Sequence, residues 1–128
     1  MKWKKIEVPL YRTTVFFCIE KDGTKVEKKI KSLGLRIRDK DKGQIDAVKN
    51  AGCVHPLIDR DESRLYLLWL PEFKLDDYWF DTAVHELTHL KNYIFNHIGQ
   101  EASTANDEAE AYLVGYLAGE FFKFTRSK

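Results

Sequence analysis

His85-Glu86-Leu87-Thr88-His89 sets two imidazoles four residues apart with a carboxylate between them. On a helix, side chains four apart lie on one face, one turn above the other, so both rings reach a single zinc ion at roughly 2.0–2.1 Å. Glu86, beside the first histidine, is then placed to take a proton from a water molecule rather than to bind the ion itself. This is the HExxH pattern. Stripped of chemistry, the same residues describe an amphipathic helix with two surface histidines, so the neighbouring sequence must first supply a helix. It does: Phe80, Val84, Leu87, Ile94 and Ile98 form an apolar helical stripe across residues 78–98. Asp76 or Asp77 is suited to cap its start, and Gly99 to a left-handed exit.

Catalytic zinc usually takes three protein ligands and leaves one position for water, so a third donor is needed. His97 lies two helical turns beyond His89, too far along the axis to share an ion with the pair, and reads as an exposed residue near the helix end. Cys53 and His55, two apart on an extended segment, make a weak donor set. The acidic candidates lie in Asn106-Asp107-Glu108-Ala109-Glu110-Ala111-Tyr112, which opens a second helix capped by Asn106 or Thr104 and reaching about Phe124. At about 100° per residue, Glu108 shares a face with Ala111, Gly115 and Gly119, whereas Glu110 points toward Val114, Leu117 and Phe121. Mid-helix glycines cost about 1 kcal/mol each relative to alanine, and two of them one turn apart suggest the close approach of another helix. If that small-residue face packs on the His85–His89 helix, Glu108 comes nearest the imidazoles, ahead of Glu110, with Asp107 third because a cap position would occupy its carboxylate. Tyr112, within about 40° of Glu108 around the helix, is the candidate to stabilise an oxyanion, although a tyrosine here is more often a core residue.

The elements ahead of the motif must form the platform. Residues 6–11 and 13–19 are rich in Val, Phe, Tyr, Thr and Ile and read as two strands or one long bent strand, with Pro9 arguing for an edge. After a turn at residues 21–24, Val26, Ile30 and Leu33 recur at helical spacing up to Gly34. The charged residues 36–42 read as a surface connection, and residues 44–51 as a second short helix ending at Gly52. Residues 53–58 and 64–70 read as a hairpin with a five-residue loop. The second arm, Leu65-Tyr66-Leu67-Leu68-Trp69-Leu70, lacks polar alternation and so belongs in a strand buried on both faces. An open edge on that strand would let an extended peptide add to the sheet; an interior position would forbid it.

Composition sets the outer bounds. One domain, residues 1–128, is the natural size, large enough to bury a core without disulfides. A net charge of +1 from 21 basic and 20 acidic residues gives no reason to expect nucleic acid or an anionic membrane as partner. No run approaches the ~18 apolar residues of a membrane span, and none resembles a signal-peptide core, so an intracellular chain is expected. Cys18 and Cys53 read as buried thiols.

HExxH followed, after a loop, by a second helix that supplies a glutamate resembles the arrangement of the gluzincin metallopeptidases. His85 to His89 with Asn92-Tyr93-Ile94, and then the string beginning Asn106-Asp107-Glu108, resemble small metallopeptidase-like proteins encoded by bacteriophages and prophages. The resemblance covers mainly residues 65–124. It implies a zincin-like fold, Glu108 as the third ligand and a setting in the cytoplasm of a bacterial cell. The extra domain that completes the cleft of larger gluzincins is not expected, which argues against a folded or long substrate. The expectation is therefore an α+β domain in which a small, mostly antiparallel twisted sheet packs on two C-terminal helices. Those helices hold Zn²⁺ through His85, His89 and Glu108, and Glu86 and Tyr112 serve hydrolysis of a peptide or protein. The rival expectations are a non-catalytic, metal-stabilised binding module and a toxin-like or regulatory peptidase with one host target. Oligomeric state is not readable from the sequence.

Overall fold

The computed structural model describes residues 1–37, 52–100 and 103–127. Strands β1 (Lys2–Val8) and β2 (Thr13–Ile19) pair antiparallel, and Pro9 falls in the turn between them. Helix α1 (Gly23–Ser32) follows, its first turn held by the Asp22 side chain accepting from the Thr24 amide. The short β3 (Arg36–Ile37) pairs antiparallel with β4 (Cys53–Ile58), and β4 forms an antiparallel hairpin with β5 (Arg64–Leu70). Two long helices, α2 (Asp77–Ile98) and α3 (Asp107–Arg126), close the chain, with a 3₁₀ turn at Thr104–Asn106 leading into α3.

The sheet order is β1-β2-β5-β4-β3, and β2 with β5 is the one parallel pair. The architecture is therefore α+β, with a mostly antiparallel sheet of five strands. β5 sits in the middle, bonded to a strand on each side, so its edges are not open to an added peptide. Its lack of alternation follows from cover on both faces. Tyr66, Leu68 and Leu70 join the core beneath α2 and α3, while Leu67 and Trp69 join a second core with Val26 and Ile30 of α1.

Several elements depart from the sequence-based expectation. β1 begins at Lys2, well ahead of residue 6, because Trp3 packs on the second core and its neighbours pair along β2. Arg36 and Ile37 form a strand rather than part of a surface connection, since Ile37 packs onto that same core opposite Leu57. The helix expected over residues 44–51 lies outside the described residues. On α2, Leu87 and Ile94 of the apolar stripe are buried but Phe80, Val84 and Ile98 are exposed; the face that packs is Ala83, Leu87, Leu90, Ile94 and Phe95. On α3 the packing face is Leu113, Leu117, Phe121 and Phe124, with Phe121 and Phe124 set 5.4 and 5.7 Å from the Phe17 ring. The Gly115 and Gly119 face is exposed, and a Cβ at either would meet nothing within 4 Å. Those glycines do not mediate a close helix approach.

Candidate metal centre

Helix α2 is fixed at both ends. Asp76 accepts from the Trp79 amide at 2.8 Å to cap its start, and Gly99 exits at φ 77°, a left-handed conformation that glycine adopts without a Cβ clash. Between these ends, the buried leucines hold one face on the sheet and turn the opposite face, with His85 and His89, to solvent. The Nε2 atoms of the two histidines stand 3.1 Å apart and the rings meet edge to face at 4.7 Å between centroids.

Two nitrogens bound to one tetrahedral zinc at roughly 2.0–2.1 Å would be about 3.3 Å apart. The pair therefore fits a shared ion once both Nε2 lone pairs are turned to it and the ring protons sit on Nδ1. Among the described residues, no group of three or more His, Cys, Asp and Glu side chains comes together in a way that could hold a metal.

Glu86 lies on the flank of the helix that faces the sheet and is 7% exposed. Its Cγ would stand 3.3 Å from a Cβ placed on Gly52, just ahead of β4, where the same Cβ would come within 2.6 Å of Leu70 Cδ2. Glycine at position 52 thus lets the chain pass close beneath the carboxylate. Burial pushes the Glu86 carboxyl up from its ordinary value, against the opposing pull of His89 and His85.

The acidic candidates on α3 fall into different environments. Glu110 Oε1 accepts from Lys91 Nζ of α2 at 2.5 Å, and Lys91, itself buried, also donates to Asn92 Oδ1. Glu110, not Glu108, is thus the carboxylate that bridges the two helices, which reverses the helix-face argument that put Glu108 nearer α2. Glu108 and Tyr112 stand on the exposed side of α3, and Asp107 is the first residue of that helix rather than its cap. Lys91 was missed by sequence reasoning. Its signal is a lysine four residues from both Leu87 and Phe95, inside the packing face of α2.

His55 is buried in β4, whereas His97 is exposed in the last turn of α2, as the spacing predicts. Cys18 is buried and Cys53 half-buried, with no disulfide between them. Both stand opposite Trp69 on the strands flanking β5. That separates their Cα atoms by about two strand spacings, some 10 Å, beyond disulfide reach.

No helix is long and apolar enough to cross a membrane among the described residues. Comparison of the chain with known protein families, with curated proteins and with solved structures finds no match.

Proposed function

We propose that the chain is a small zinc-dependent metallopeptidase-like protein of the HExxH type, acting on a peptide or protein in a bacterial, phage-linked cytoplasmic setting. The observation that carries this reading is the convergence of His85 and His89 at 3.1 Å on the solvent side of α2, with the Glu86 carboxylate on the adjoining flank. His85, His89 and Glu108 would hold the ion. Glu108 is the choice because the Glu110 carboxylate is taken by Lys91, while Glu108 has no hydrogen bond or ion pair among the described residues. When bound, zinc supplies a Lewis acid that polarises the scissile carbonyl and activates water. Glu86 accepts the proton of the attacking water on a carboxylate oxygen and returns it to the leaving amine; its burial favours holding that proton between the two transfers. Tyr112, one turn after Glu108, is the donor proposed for the carbonyl oxygen as it gains charge.

A second reading is supported by the placement of Glu108 on the exposed side of α3, while Glu110, the carboxylate that reaches α2, is held by Lys91. In it the domain is a non-catalytic binding or regulatory module of phage or prophage origin, and the metal locks α2 and α3 together. The two readings separate on elemental analysis of the purified protein combined with a peptidase assay. The peptidase reading expects about one zinc per chain, lost in His89→Ala and Glu108→Ala. It also expects Glu86→Gln to keep the zinc and lose activity by at least about 100-fold. Peptidase activity that survives Glu86→Gln, or a parent protein that cannot be loaded with zinc, overturns it.

A further inference from the structure

At the end of α2 remote from Asp76, the β1–β2 turn, the start of β5 and the last helical turn border an open cavity of about 410 Å³. Tyr11, Arg12, Thr13, Ser63, Arg64 and His97 line it together with Glu62 and Ile98. That volume suits a small molecule rather than a lone ion. His97 is eight residues beyond His89, about 12 Å along the helix axis, so the cavity is distinct from the histidine pair.

Its donors are unspent. The side chains of Arg12 and Arg64 make no hydrogen bond or ion pair among the described residues. The one acid in the lining, Glu62, has both carboxylate oxygens turned to Arg36 at 2.9 and 3.1 Å, so its charge is already met outside the cavity. Thr13 is the only buried lining residue, 6% exposed, and its Oγ1, which solvent does not reach, has no hydrogen-bond partner among the described residues. Arg12 and Glu62 also hold left-handed backbones, φ 48° and 62°, which non-glycine residues seldom adopt.

Two guanidinium forks, an imidazole and the hydroxyls of Tyr11 and Ser63 bring donors to the lining from several elements. Such a set exceeds what a planar carboxylate accepts and matches the oxygens of a phosphoryl group. We propose that this cavity binds a phosphate monoester of a small molecule, with Arg12 and Arg64 on the phosphoryl oxygens and the ester group against Tyr11 and Ile98. This assignment is independent of the metal site.

Calorimetric titration with phenyl phosphate, inorganic phosphate and benzoate, each at 0.15 M ionic strength (about the physiological value), tests it. The expected dissociation constant for phenyl phosphate is below about 1 mM, with inorganic phosphate weaker and benzoate weaker still. Arg64→Gln and Arg12→Asn should each weaken phenyl phosphate by about tenfold or more; asparagine is chosen because it tolerates the left-handed backbone. Lys28→Gln, on α1, should leave binding unchanged. No phenyl phosphate binding at about 10 mM, binding of benzoate as tight as phenyl phosphate, or equal weakening by Lys28→Gln overturns the proposal. Unchanged affinity in both arginine variants does so as well.

Discussion

Lys91 and Glu110 form a part-buried contact in which the two partners are not equally replaceable. The Lys91 side chain is 7% exposed and that of Glu110 is 26% exposed, so the ammonium is the group that water cannot rescue. Glu110→Gln leaves this cation with only Asn92 Oδ1 and a neutral amide, and should destabilise the fold by about 2–3 kcal/mol, below the full penalty for a wholly buried pair because Glu110 is partly solvated. Lys91→Met, which removes the charge and fills the space between Leu87 and Phe95, should cost less than about 1 kcal/mol. Urea unfolding compares the two; an equal loss in both would mean that the pair is not what holds α2 to α3. The same variants sharpen the ligand question. On the proposed assignment, Glu108→Gln removes zinc and leaves stability unchanged, whereas Glu110→Gln does the reverse. Gly52 acts by packing instead: a methyl there meets Leu70 Cδ2 at 2.6 Å and Glu86 Cγ at 3.3 Å. Gly52→Ala should therefore cost about 1–3 kcal/mol and displace the Glu86 carboxylate. Under the peptidase reading, kcat then falls more than zinc content does, and unchanged kcat with unchanged stability would refute the contact.

At the scale of the element, α2 is the helix whose limits matter most, because its register sets where both histidines and Glu86 point. Asp76→Ala removes the acceptor for the Trp79 amide and should cost about 1 kcal/mol, a fall of roughly 4 °C in Tm for a chain of this size. Gly99→Ala should cost a similar ~1 kcal/mol for a different reason: a Cβ there meets nothing within 4 Å, so the loss is entirely conformational, at φ 77°. A Tm unchanged in both would mean that tertiary packing alone sets the ends of α2. These limits were legible in the sequence because caps are local chemistry, and the β4–β5 hairpin with its five-residue loop at 59–63 was legible for the same reason. What a helix faces was not. Phe80, Val84 and Ile98 look like core in a 3.6-residue period yet lie exposed, and the glycines of α3 look like a contact face yet meet solvent. The deciding fact is the position of α3 beside α2, set by long-range contacts such as Phe17 with Phe121 and Lys91 with Glu110, which no local pattern encodes. Of the candidate site, the histidine convergence was readable from spacing alone. The pairing of Glu110 and the burial of Glu86 depend on that tertiary placement.

On the scale of the whole molecule, the sheet separates two cores, and the one under α1 carries the thiol that couples folding to pH. Cys18, fully buried beside Trp69 and beneath α1, has its pKa pushed by burial from 9.0 up to about 12. Between those values the unfolded chain gives up the thiol proton and the folded chain keeps it, so the folded state binds more protons and stability falls as pH rises. The slope from this one group is about 1.4 kcal/mol per pH unit across that window, and zero below it. Lysines and tyrosines titrate over the same range, so the informative quantity is the difference between the parent and Cys18→Ala. At pH 8 the alanine variant should be the less stable, through lost packing. That gap should narrow as pH rises from 9 and then reverse, because only the parent has a thiol that the unfolded state can ionise. Urea unfolding at intervals from pH 8 to about 11 measures it. A constant gap would mean that Cys18 ionises as readily in the folded protein as outside it, and that water reaches the core beneath α1.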